Sequence, residues 1–399
     1  MSFVYNVAIF SPMFVSLFWA ILLLLVPGKS NKAKHFLGMF MIGAFVVYLS
    51  HAIFFSKQIE LYLFFDPIYV FATLSVYPLF FWYIKLLTVN NKYELKMLWH
   101  FVVPFIFSVA MVIVYCLMEN PTGYIKHFLY QDFETGSECG KYWKLQHFIF
   151  GFSRIFMFLQ VAWVLWRGLL LIRNYKSRLK EFYSNLEGRS VDWAKWTILI
   201  FAITALMTSM ANILGRAYFA VNSVLLFVPA CIFSVLLFLI GYLGHMQRHS
   251  VYDFNIDVEN EGKQNMVNKV VDFDEEMQVE VELLMQRIID AFEKKKLYRL
   301  KDLKISALCE HLNTNRTYVS RVLNEFFDCS FSDIVNKYRV EEAKKHIEMD
   351  IDEKLTLEAI AEKVGYASAG TLIRNFKNYF GYTPGTLRNK KRVLPKKSK

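Results

Sequence analysis

Two stretches near the C-terminus, Ile305–Phe327 (ISALCEHLNTNRTYVSRVLNEFF) and Leu357–Phe380 (LEAIAEKVGYASAGTLIRNFKNYF), share one pattern. Each begins as a short helix with apolar periodicity, passes a turn residue and continues in a second helix. In the first, Leu308 and Leu312 face inward, and Asn313 makes the turn because its side chain tolerates a left-handed backbone. Thr314 or Asn315 caps the next helix, in which Val319, Val322, Leu323 and Phe326 face inward. That leaves Arg316, Thr317, Ser320, Arg321 and Asn324 outside. In the second stretch Ile360, Ala361 and Val364 face inward, Gly365 makes the turn and Ser368 caps. Leu372, Phe376 and Phe380 anchor the following helix, with Thr371, Arg374, Asn375 and Lys377 turned outward. The pattern predicts two helix–turn–helix units.

Such a pair suits a nucleic-acid duplex. The second helix of each unit can enter a major groove about 12 Å wide and point its N-terminal residues at base edges. Arginine contacts guanine bidentately, whereas Lys, Asn and Thr hold phosphates. Between the units, Phe331–Glu348 reads as one helix of 18 residues, about 27 Å long at 1.5 Å per residue. With its flanks it can hold two recognition helices about one DNA turn (~34 Å) apart. Ahead of the units, Leu283, Leu284, Ile288, Ile289 and Phe292 give another apolar helical stripe. Behind them, Arg388, Lys390, Lys391, Arg392, Lys396, Lys397 and Lys399 occur with no acid. That tail suits a phosphate-binding patch, a membrane-surface patch or a solvated terminus.

Upstream the character changes. Val251–Glu282 carries ten acids against Lys263 and Lys269, which reads as an acidic, solvated linker over residues 246–276. Before it, seven apolar runs occur: Tyr5–Val26, Phe36–Phe55, Leu61–Val89, Leu98–Met118, Leu145–Ile172, Trp196–Leu214 and Tyr218–Leu243. Each is long enough to cross a hydrocarbon core of about 30 Å. The first has no basic residue ahead of it and reads as a retained helix, not a cleaved signal. These runs explain why a 399-residue chain with a net charge of +11 is 55% apolar and only 20% charged. Disorder, collagen-like repeats and a disulfide scaffold are excluded by that composition. The five cysteines include no C-x-x-C pair, which argues against zinc or thioredoxin-type chemistry.

Loop charges orient the spans. Lys29, Lys32, Lys34, Lys85, Lys92, Lys96 and seven basic residues between Arg167 and Lys195 fall on one side. Lys57, Lys126, Lys141, Lys144 and Arg216 fall on the other. The richer side is expected to be cytoplasmic, with the N-terminus outside and residues 246–399 in the cytoplasm. Within the spans, Asp66 and Arg154 lie at similar depth and are candidates for an ion pair or the floor of a ligand-sensing pocket. His51, Asn212 and Asn222 are further polar groups at membrane depth, and Pro78, Pro104 and Pro229 sit mid-span. Cys116 and Cys139 could meet on the outer, oxidising face.

The stretch Leu355–Arg388 (LTLEAIAEKVGYASAGTLIRNFKNYFGYTPGTLR) resembles the C-terminal signature of the AraC/XylS family of transcription regulators. Its Ala361, Gly365, Ser368, Arg374, Phe376, Lys377, Gly381, Thr383, Pro384 and Arg388 all fit that pattern. Upstream, NTNRTYVSRVLNEFF and FSDIVNKYRVEEAKK resemble the family's first recognition helix and linker helix. Cys309, Asn313 and Leu387 depart from the pattern as tolerated packing or turn changes. The resemblance implies that Thr317, Ser320, Arg321, Thr371 and Arg374 face bases, and that Asn315, Arg316, Asn375 and Lys377 hold backbone. It also implies promoter DNA and RNA polymerase as partners, and activation as the usual outcome. A seven-span module replaces the family's usual soluble ligand-binding domain, an arrangement similar to membrane-integral one-component regulators.

The expectation is an all-α protein: a seven-helix transmembrane bundle, then a cytoplasmic double helix–turn–helix domain. It would sit in the lipid bilayer of the cytoplasmic membrane, bind double-stranded promoter DNA, respond to a signal ligand and use no cofactor or metal. A homodimer is possible but not required, because one chain carries both recognition helices. The competing reading is a transporter or membrane receptor whose basic C-terminal domain binds protein or lipid, which predicts inverted repeats and broken helices. No phosphate-binding loop and no metal-ligand spacing of His, Cys and carboxylates occurs, so no enzyme activity is expected.

Overall fold

The computed structural model describes residues 3–27, 32–90, 92–126, 142–187, 192–214, 218–219, 223–247, 251, 254–258, 277–350 and 355–393. The described chain is helical, apart from turns and an isolated antiparallel bridge between Tyr183 and Lys304. It divides into two compact units. The first is Met1–Arg173 with Val191–Tyr252, and the second is Asn174–Ser190 with Asp253–Lys399. The division expected at residue 245 is therefore crossed by one segment: residues 174–190 fold with the C-terminal unit. Most of the expected acidic linker, including all of 259–276, lies outside the described residues.

The first unit is built from α1 (Phe3–Leu24), α2 (Lys32–Phe55), α3 (Ile59–Thr88), α4 (Trp99–Leu117), α5 (Trp143–Phe182) as far as Arg173, α6 (Asp192–Leu214) and α7 (Ser223–His245). All seven are long and apolar enough to cross a membrane. α2 packs between α1 and α3, α4 lies on α3, and α7 contacts both α1 and α6. α3 is the central helix: 83% of its apolar window is buried, against 22% for those of α4 and α5. The Phe80 ring of α3 stacks on Phe201 of α6 at 3.9 Å and 6°. Gly241 lets α7 approach α1, because a Cβ there would lie 2.3 Å from the Trp19 ring. Pro78, Pro104 and Pro229 are within helices as expected. Cys116 is exposed, and Cys139, the cysteine it could meet, lies outside the described residues, as does Asn222.

In the second unit, α8 (Met277–Glu293) supplies Leu284, Ile288 and Phe292 to a core shared with α9 (Ile305–Leu312) and α10 (Arg316–Phe326). The four-residue spacing of those three defines its buried face, so Leu283, expected on the stripe, is 60% exposed. Phe326, also expected inside, is 50% exposed in the last turn of α10, and Phe331 is the buried ring nearby in sequence. α11 (Phe331–Met349) follows as a single helix of 19 residues. A second core joins Val340, Ala343 and Ile347 of α11 to α12 (Leu357–Lys363) and α13 (Ala369–Phe380) through Ile360, Ala361, Leu372 and Phe376. Phe380 and Leu387 of α14 (Pro384–Val393) pack at its edge. Arg388 bonds the Leu355 carbonyl and lies 3.6 Å from Asp350, so it closes the fold, whereas Lys396, Lys397 and Lys399 lie outside the described residues.

Candidate nucleic-acid interface

The first unit of the pair is α9–turn–α10. Asn313 holds φ 47° at the end of α9, the left-handed geometry that its short polar side chain favours. Asn315, not Thr314, caps α10, accepting a hydrogen bond from the Tyr318 amide. Val319, Val322 and Leu323 are buried, which fixes the rotation of the helix and turns Thr317, Arg321 and Asn324 to solvent. Ser320 is half-buried beside them, and Arg321 pairs with Glu325 one turn on at 2.9 Å. Arg316 lies over the Phe182 ring at 5.1 Å. A guanidinium stacked on a ring keeps its in-plane donors available.

The second unit, α12–turn–α13, turns at Gly365 with φ +91°. A Cβ there would lie 2.5 Å from the Arg299 carbonyl oxygen, so both backbone angle and space demand glycine. Ser368 caps α13 through the Thr371 amide. Arg374 and Lys377 are exposed, as expected. Two expected outward residues are placed otherwise. Thr371 is buried, because the Glu187 carboxylate covers it and accepts hydrogen bonds from its hydroxyl and from Ser368. Asn375 is half-buried and donates to the Asn336 side chain of α11 at 3.2 Å.

Glu187 belongs to a segment absent from the expected site. Residues 174–187 continue α5 with Tyr175, Leu179, Phe182 and Tyr183 buried at helical spacing among charged neighbours. That stripe is the signal that could have revealed the segment's docking. Ser184 is tied in on three sides: its amide and hydroxyl donate to Leu303 O, and its carbonyl accepts from Ser332 and Asn336. Beneath it Arg339, 0% exposed, donates to the Tyr298 and Leu300 carbonyls at 2.6 and 2.7 Å and to Ser184 Oγ at 3.5 Å. Burial lowers the Arg339 pKa to about 10, still high enough to keep it charged at neutral pH. Nearby, partial burial works to raise the Glu342 pKa, but hydrogen bonds from Arg299 and Lys296 hold it down at about 2.

The two membrane-depth candidates are in the first unit. Asp66, 2% exposed, accepts hydrogen bonds from Tyr62 and, at 2.8 Å, from Tyr115, which itself accepts from Gln146. Arg154 lies over the Phe150 ring at 4.3 Å and lines a small void beside Tyr69 and Thr73.

Comparison with known proteins bears on the second unit. Residues 308–390 match the helix-turn-helix domain family HTH_18. The chain is 32% identical over 93 residues to the uncharacterized HTH-type transcriptional regulator YtdP of Bacillus subtilis, covering 23% of this chain and 12% of that protein. It is 27% identical over 92 residues to the probable transcription factor PqrA of Proteus vulgaris, covering 23% of this chain and 73% of that protein. Among solved structures, the C-terminal domain of AraT, a response regulator from Geobacillus stearothermophilus, matches 30% of this chain and 90% of its own at 26% identity, with a TM-score of 0.25. Residues 308–390 are thus similar to an AraC-type helix-turn-helix domain, and both curated relatives matched there carry names that describe transcription regulators. Against the longer of them, this chain accounts for about an eighth of the length.

Proposed function

We propose that this protein is a transcription regulator embedded in the cytoplasmic membrane, which binds promoter DNA through α10 and α13 and is controlled by its N-terminal bundle. The observation carrying the DNA-binding part is the pair of capped second helices, each locked in rotation by a buried stripe, presenting Arg321 and Arg374 outward. Thr317 and Ser320 accompany them as base-facing groups, with Asn315, Arg316 and Lys377 nearer the backbone; Thr371 and Asn375 would join them only after Glu187 and Asn336 give them up. The seven apolar helices and the excess of basic residues on one set of loops support a membrane location with the DNA-binding unit in the cytoplasm. Activation, through contact with RNA polymerase, is the proposed direction. No enzymatic step is part of this reading.

Control is proposed to run through residues 174–190. The segment enters the second unit directly from α5, and its Glu187 carboxylate sits at the N-terminus of α13, where a phosphate would otherwise be attracted. DNA and Glu187 therefore compete for one place. A signal that shifts the end of α5 releases the helix or holds it covered.

The test is selection of genomic fragments by the full chain in nanodiscs, alongside an Arg321→Ala/Arg374→Ala double variant. Recovery of a shared motif with two half-sites about ten base pairs apart, lost in the variant, is expected. Sequence-indifferent binding, equal in the variant and abolished by moderate salt, would leave only a basic surface and favour the transporter or receptor reading.

A further inference from the structure

A partly open cavity of about 110 Å³ lies within the first unit, lined by α1, α2, α3, α6 and α7 with Phe219. Its wall is mostly hydrocarbon and aromatic ring, and among the described lining residues none is Asp, Glu, Lys or Arg. Tyr48, His51, Tyr69, Thr73 and Thr208 bring polar atoms to it. A few convergent polar groups on an apolar wall are the ordinary make-up of a small-molecule site.

Thr73 distinguishes this cavity from a packing fault. Several hydroxyls on these helices bond the carbonyl one turn back: half-buried Thr208 donates to Thr204 O at 2.9 Å, and buried Ser50 and Ser16 donate to Val46 O at 2.9 Å and Pro12 O at 2.8 Å. Thr73 and Ser75 of α3 do not, and of these two it is Thr73 that lines the cavity. Thr73, only 8% exposed, makes no such bond, and its hydroxyl has no hydrogen-bond partner among the described residues. An unmet buried hydroxyl is costly and is regained by any occupant that supplies a complementary group. The size of the cavity limits that occupant. A fully apolar cavity of about 150 Å³ accepts benzene, so about one ring fits here. Among the described lining residues a formal charge would find no carboxylate, ammonium or guanidinium as a counter-charge; Arg154 lines the separate small void on the other side of Tyr69 and Thr73.

We propose that this cavity binds a small, neutral, largely apolar molecule, of about one ring or an equivalent short chain, whose single hydroxyl or carbonyl pairs with Thr73. The site deepens the signal-receiving role proposed above for the bundle and rests on it. Binding is read without DNA, so its failure leaves the DNA-selection result untouched.

The experiment uses the full chain in nanodiscs of one phospholipid and follows its melting midpoint with cyclohexanol, and with methylcyclohexane as a probe of similar volume lacking the hydroxyl. Cyclohexanol is expected to raise the midpoint saturably, by roughly 3 °C at tenfold excess over its Kd, and methylcyclohexane by less. Thr73→Val, which keeps the shape and removes the hydroxyl, should bring cyclohexanol down to the methylcyclohexane level. Ala230→Phe, which fills the cavity, should abolish both shifts. If it fails to fold, Thr73→Val decides alone. Equal, unsaturating shifts from both probes, unchanged by Thr73→Val, would mean that they partition into lipid or that an acyl chain already fills the space, and would overturn the proposal.

Discussion

Arg339 is a fully buried cation whose partners are two backbone carbonyls and Ser184 Oγ, so its loss leaves Tyr298 O and Leu300 O without this donor. Arg339→Met is expected to destabilise the second unit by about 3 kcal/mol, seen as faster amide exchange across Leu303–Leu312. Glu342 links the same region to pH. Its carboxyl titrates near 4.5 when unfolded and at about 2 when folded, so its contribution is complete above pH 4.5 and is lost as pH falls from there towards 2. The shift corresponds to roughly 3 kcal/mol. Glu342→Gln should therefore lower stability at pH 7 and flatten the acid limb below 4.5, measured by urea melts at stepped pH. Glu187 acts on function instead. Glu187→Gln removes the negative charge over Thr371, and about fivefold tighter binding to the selected duplex is expected by fluorescence anisotropy. Unchanged affinity would reduce Glu187 to a helix cap.

At the scale of elements, the legible parts of the second unit were those whose causes are local. Asn313 and Gly365 announce turns, Asn315 and Ser368 announce caps, and the buried stripes of α10 and α13 follow from spacing alone. What was not legible depends on distant partners. Thr371 and Asn375 read as outward-facing because nothing near them in sequence covers them; their partners lie 184 and 39 residues away. Leu283 and Phe326 show the other limit, since periodicity gives a stripe's direction but not where its neighbour ends. The basic residues of 173–180 fit a cytoplasmic loop equally well, and they interrupt the stripe of Tyr175, Leu179, Phe182 and Tyr183. Leu179→Glu is expected to undock that stripe, read as loss of exchange protection at Ser184 and Leu303 with the melting of α1–α4 unchanged. Gly365→Ala meets both a positive φ and the Arg299 carbonyl and should cost the unit more than about 1 kcal/mol.

For the whole molecule, the proposed orientation gives a direct expectation. In an otherwise cysteine-free chain, an impermeant maleimide should label Lys57→Cys in intact cells and Asn90→Cys only after permeabilisation. The reverse result would put the helix-turn-helix domain on the wrong side of the membrane for DNA and end the regulator reading. The tie between Ser184 and Arg339 has a consequence in time as well as space. The two residues are 155 positions apart, and at about 5–20 residues per second the ribosome needs roughly 8 to 30 s to pass from one to the other. During that interval α6 and α7 are synthesised, while residues 174–187 wait with their apolar stripe unfilled. The DNA-binding unit thus completes itself only after the last helix of the bundle has been made. A fragment starting after residue 253 is released without the missing piece, and should aggregate unless a peptide of residues 174–190 is supplied alongside it.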